Sequence, residues 1–282
     1  MKTINKTLAA TALLTTVSVA SAGTLITDWG YALDSGFTAY TETGGSASSL
    51  VDGLDTNILL SAPSKLEWGD EHIFTDDIPG TNGRSSIAVG EVNGHKDGSI
   101  ITNAAAIDTV LITHTNNVIT GSSLLTATLL DVLTLTPLAP VAGPSFPGLP
   151  LIFDINFTET QNIAGTCAVP SGPDCADIFV FGVDGGSFNT ADINNIFLTK
   201  SFVFDDFLYT AQVFVEGLGF LSDAACTAAN ADLGCIGLTT NEEEINDFQV
   251  SLAIIGREVS APASLALLGL GLLGMGRLRR KA

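Results

Sequence analysis

Positive charge is scarce in this sequence: 11 Lys and Arg face 30 Asp and Glu over 282 residues, a formal charge of −19. A chain that neutralises nucleic-acid phosphates needs clustered basic side chains, so nucleic acid is excluded as a partner. Histidine is scarcer still, limited to His72, His95 and His114. No Gly-x-Ser-x-Gly elbow, His-Glu-x-x-His pair, phosphate-cradling glycine loop or EF-hand spacing occurs. That removes the local signatures of hydrolases, zinc proteases, nucleotide binders and calcium sensors. A Ser-His-Asp triad assembled from distant segments leaves no local signature, and nothing here raises one above background. Long helical stripes and fixed-period repeats are also missing, which argues against bundles, propellers and solenoids. What remains is 46% hydrophobic, enough apolar material for a packed core.

The few basic residues are unevenly placed. Lys2 and Lys6 open the chain, and Arg277, Arg279, Arg280 and Lys281 close it. Between them lie all the acidic residues and only Lys65, Arg84, Lys96, Lys200 and Arg257. Each end is thus a short apolar run beside positive charge, a pattern read by membrane machinery. Residues 1–22 read as a signal peptide: a basic start, the apolar stretch Leu8–Val19, and the small residues Ala20-Ser21-Ala22 before a cut. Signal peptidase would then leave a mature chain beginning at Gly23. Near the other end, Ala261 to Gly276 is a largely apolar run of 16 residues containing four glycines. A permanent span takes about 20, so this short transmembrane helix is long enough to stop in the inner membrane in transit and marginal for staying. The basic cluster after it stays cytoplasmic and leaves the body outside.

At residues 259–282 the chain resembles the PEP-CTERM sorting signals of Gram-negative bacteria, which join a Val-Pro-Glu-Pro-like motif, an apolar helix and an Arg-rich tail. Val259 and Pro262 keep that motif, while Ser260 and Ala261 stand where it has Pro and Glu. The resemblance implies an exosortase-like sorting enzyme as partner and the cell surface or extracellular space as destination, with transient or persistent membrane anchoring. The body resembles the THxN family of PEP-CTERM proteins at Thr113-His114-Thr115-Asn116, at Ser64-Lys-Leu-Glu-Trp68-Gly69 and at Cys175-Ala-Asp177-Ile-Phe-Val180. This second resemblance implies a route of export and no activity.

Residues 23–258 read as one all-β domain, a jelly-roll-like β-sandwich. Large apolar side chains alternate in Phe248–Ile254, Phe207–Val215, Leu151–Phe157 and Leu125–Leu129, and Asp108–Thr113 is a further strand-like run. Asn93-Gly94, Asn116-Asn117 and Asp184-Gly185-Gly186 supply turn chemistry. Five of the ten prolines fall between Pro137 and Pro150, and this spacing predicts a long surface connection rather than a central strand. Cys167, Cys175, Cys226 and Cys235 read as disulfides in an exported chain, with three pairings open and the local pairs favoured by their loop-like intervals. Zinc is the rival reading, but no Cys-x-x-Cys spacing supports it.

Candidate binding residues are few. On an extended segment His114 and Asn116 share one face, where together they could hold a ligand hydroxyl. The plainer reading makes Asn116-Asn117 a hairpin turn and leaves His114 bonded to nearby backbone. The densest acidic cluster, Asp70, Glu71, Asp76 and Asp77 beside His72, could hold Ca²⁺, which takes oxygen ligands from flexible loops. Asp174, Asp177, Asp184 and Asp192 form a looser set and Asp205-Asp206 a third. Against these stands a hydrated acidic surface that keeps an exported protein soluble, with no cofactor at all. The expected function is non-catalytic: an exported surface or matrix protein, with an association with exopolysaccharide or biofilm that the PEP-CTERM resemblance implies. The alternatives are a lectin-like module, Ca²⁺-dependent or not, that binds glycans, and a secreted hydrolase built on paired carboxylates.

Overall fold

A computed structural model describes residues 23–44, 51–71, 83–90, 93–160, 167–171, 174–184, 187–191 and 196–259. The signal-peptide reading of residues 1–22, the motif residues Ser260, Ala261 and Pro262 and the apolar tail all lie outside them. No helix among the described residues is long and apolar enough to cross a membrane.

In chain order the strands are β1 (Asp28–Glu42), β2 (Asp52–Asn57), β3 (Ala62–Trp68), β4 (Asp70–Glu71), β5 (Ser85–Val89), β6 (His95–Ile101) and β7 (Ile107–Asn116). There follow β8 (Ile119–Thr120), β9 (Leu124–Ala139), β10 (Phe146–Thr158), β11 (Pro170–Ser171), β12 (Asp174–Cys175), β13 (Asp177–Asp184) and β14 (Ser187–Asn189). The last group is β15 (Phe197–Phe204), β16 (Phe207–Val215), β17 (Gly219–Phe220), the short helix α1 (Asp223–Ala228), β18 (Ile236–Thr240) and β19 (Glu244–Glu258). One sheet runs β17-β18-β13-β10-β9-β1-β6 and the other β14-β15-β16-β19-β7-β5-β3-β2. Two such sheets bury their facing sides and form a sandwich, the all-β architecture that the alternating pattern predicts. The core between them includes Trp29, Phe37, Leu66, Trp68, Leu133, Leu135, Ile155, Phe179, Tyr209 and Ile254.

The proline-rich stretch is not the long connection expected of it. Pro137 lies in β9, and Pro147 and Pro150 lie in β10, both central strands. Only residues 140–145 separate the two strands. The prolines are tolerated because the ladder is irregular there. The pairing of β1 with β9 shifts register between Asp28 and Trp29, opposite Pro137 and Ala139. The β10–β9 pairing likewise skips from Phe146 to Leu149. Pro150 sits before β13 joins the other edge of β10 at Ile152. A missing N–H is harmless at a bulge or beside an unpaired edge.

The two ends of the described body meet at one turn. Asp205 and Asp206 link β15 to β16 with φ of 47° and 65°, the left-handed pair of a tight hairpin that Asp tolerates. Thr24 N–H donates to Asp205 Oδ2 at 3.1 Å, and Val259 N–H donates to the Asp206 carbonyl at 3.0 Å. A Cβ on Gly23 would come within 1.9 Å of the Asp205 carbonyl oxygen, so only glycine fits. From this pole β19 runs its 15 residues, roughly 45 Å at strand rise, to the opposite pole, where Glu244 pairs with Asn116.

Candidate functional site

Four strands, β3, β7, β10 and β13, converge at that opposite pole. Trp68 ends β3 and is fully buried, and its ring stacks on His114 of β7 with centroids 5.7 Å apart and planes at 14°. Phe157 of β10 and Phe179 of β13 meet the His114 ring edge-on at 5.7 and 4.9 Å. The period-two pattern of β7 sends Ile112, His114 and Asn116 inward and leaves Thr113 and Thr115 partly exposed. Thr113 Oγ1–H donates to Asp247 Oδ1. Burial drives the imidazole pKa down to about 3, so His114 is neutral. Neither ring nitrogen nor the Asn116 amide has a hydrogen-bond partner among the described residues.

Neither sequence reading of this motif holds in full. Asn116-Asn117 is not a hairpin turn: β7 pairs with β5 and β19, while β8 pairs with β4. Asn117 instead ties the end of β7 to β5, exchanging hydrogen bonds with Ser85 and donating from Nδ2 to the Arg84 carbonyl. His114 is packed among aromatic rings rather than offered to solvent.

Next to the aromatic cluster lie three carboxylates. Glu159 follows β10, Asp177 opens β13, and Glu242 occupies the turn between β18 and β19. One oxygen from each lies within 4.8 Å of the others, the one such trio among the described residues. Trp68 Nε1–H and Ser123 Oγ–H each donate to Glu159 Oε2 at 3.4 Å. Thr160 N–H donates to Asp177 Oδ1 at 2.8 Å. Asp177 Oδ2 is buried without a partner, and so is the hydroxyl of Thr240, which faces Asp177 across the β13–β18 pairing. Burial, then the Glu242 charge, raises the Glu159 pKa to about 8. Burial, Glu159 and Glu242 hold Asp177 well above the usual carboxylate range. Arg84 binds Asp52 and the carbonyls of Gly69 and Glu67.

Among the described residues no other acidic set gathers in this way. Asp70 is half-buried in β4, opposite Thr120 of β8. Asp76, Asp77 and His72 lie outside the described residues, and of Glu71 only its backbone pairing with Ile119 is described. Asp174 and Asp184 fall on different strands, and Asp205-Asp206 is the terminal turn. Of the residues now assembled, only Asp177, His114, Asn116 and Trp68 stood out in the sequence. Glu159 and Glu242 were hidden among the 30 acids, the first a single carboxylate after a strand and the second the head of a run of three glutamates.

Two disulfides fasten loops near these strands: Cys167–Cys175 before β13, and Cys226–Cys235, which closes α1 onto the approach to β18. Apart from this trio, the buried acid Asp131 sits mid-strand in β9 against a cavity of about 20 Å³ lined by Ile112, Leu129 and Phe153. Burial lifts its pKa to about 6, partly offset by the Ser35 hydroxyl opposite.

The described body is thus an antiparallel sandwich with Gly23 and Val259 at one pole and aromatic rings and carboxylates crowded at the other. Residues 258–281 match the family model described as the PEP-CTERM protein-sorting motif. The motif implies export and sorting to the cell surface by exosortase-type machinery in Gram-negative bacteria. No curated protein matches the chain.

Proposed function

We propose that this exported protein is a non-catalytic component of the cell surface or extracellular matrix, associated with exopolysaccharide or biofilm, and that its body is of the THxN type. The observation that carries the reading is the join between body and signal. Strand β19 ends at Glu258 and the matched motif begins there, with no intervening linker. A cut near Pro262 would release the sandwich whole, with both ends beside one turn. The THxN assignment draws support from the meeting of Trp68, His114 and Phe179, one from each of the three resembling segments.

The test is fractionation of the native host followed by intact mass of the protein. The expected mass lacks residues 1–22 and everything after about Pro262, and any surplus reports a covalent attachment. An intact tail in the membrane fraction would overturn the sorting step. Deleting the gene should also lower retention of exopolysaccharide on cells; unchanged retention would remove the matrix role. A lectin-like module is the second reading, favoured by a surface groove where Thr43, Ser123, Asn156, Thr158 and Asn230 offer hydroxyls and amides beside Glu159. Glycans that raise Tm would support it, because binding the native state stabilises it.

A further inference from the structure

We propose that Glu159, Asp177 and Glu242 form a calcium-binding site at the pole opposite the Asp205-Asp206 turn. The donor set is all oxygen, which selects a hard cation over zinc or copper. One oxygen from each carboxylate lies within 4.8 Å of the others, close enough for a single ion with bonds of about 2.4 Å to reach all three. Magnesium, which demands a strict octahedron and dehydrates reluctantly, suits a buried set of protein carboxylates less well.

The independent observation is the pair of buried oxygens left without partners. Asp177 is fully buried, with Oδ1 held by Thr160 and Oδ2 bonded to nothing among the described residues. Thr240, also fully buried, stands beside it across the strand pair with its hydroxyl unused. Unsatisfied buried oxygens are costly, and one ion between them satisfies both. Glu159 borders the polar surface groove, which supplies an entry path, while Asp177 and Glu242 close the inner side. The carboxylates come from the ends of β10 and β13 and from the turn into β19, so one ion joins both sheets.

The full chain, purified in detergent and stripped with EDTA, is titrated with CaCl₂ at pH 7.5. Calorimetry should show one ion per chain, and about 1 mM calcium should raise Tm by about 5–10 °C if the affinity is near 10 µM. Magnesium should raise it less. The variant Asp177→Asn with Glu242→Gln should keep its far-ultraviolet CD spectrum and lose the calcium response. Should that variant fail to fold, Glu159→Gln, at the groove edge, should bind calcium at least about tenfold more weakly. No calorimetric binding, or an unchanged response in a folded variant, overturns the site.

Discussion

Two side chains, Asp131 and His114, are buried ionisable groups with opposite pH signatures. The Asp131 pKa is raised to about 6, so its protonated form is the one the fold prefers. Stability from this preference is complete below its unfolded pKa near 4 and is lost as pH rises through about 6. Above that, a charge is held against apolar side chains. Asp131→Asn should therefore raise unfolding free energy by about 2 kcal/mol at pH 7.5 and by little at pH 4, read by urea denaturation at both values. His114 runs the other way, its pKa lowered to about 3. Its contribution is complete above its unfolded pKa of about 6.5 and declines as pH falls toward 3. His114→Phe should flatten that acid limb, removing about 4 kcal/mol of pH-dependent loss between pH 6.5 and 3. An unchanged acid limb would show that the ring is solvated.

At the scale of elements, α1 is a turn and a half held by its ends. Ser222 Oγ accepts from Ala225 N–H as the N-cap, and Cys226–Cys235 ties the helix to the approach to β18. Cys226→Ser with Cys235→Ser should cost about 2–3 kcal/mol in the unfolding free energy, with thermal melts as the check. Loss of the whole fold would show that β18 depends on this loop. The strands themselves were legible, because alternating Val250, Leu252 and Ile254 or Leu151, Phe153 and Ile155 write a half-buried sheet into any sequence. Pro137 and Pro150 misled because their tolerance rests on a register shift and on where a neighbouring strand begins, which no local pattern reports. The acidic pole was legible only in part. Glu242 is one of three consecutive glutamates, and its neighbours Glu243 and Glu244 are exposed. Glu243 turns the chain at φ 55°, a fact of the assembled turn rather than of composition. Trp68 and Asp177 stood out by resemblance, yet their meeting depends on two sheets closing over each other.

For the whole molecule, the acidic body and the arrangement of its poles set the behaviour outside the cell. Five basic residues among thirty acids make the body repel other copies and anionic polymers at low ionic strength, a repulsion that weakens as salt shortens its range. Self-association measured by light scattering should therefore increase with NaCl, and a decrease would contradict this account. The matched sorting motif begins at the last residue of β19, a strand flanked on both sides by β16 and β7. Tension applied between the far pole and the tail runs along that strand, so its neighbouring hydrogen bonds are sheared together. Tension between Gly23 and Val259, which share one turn, peels strands apart one bond at a time. In a single-molecule pulling experiment the first direction should yield at the higher force. The sandwich is in that sense a stiff tie-rod, strong along one axis and easily unzipped along the other.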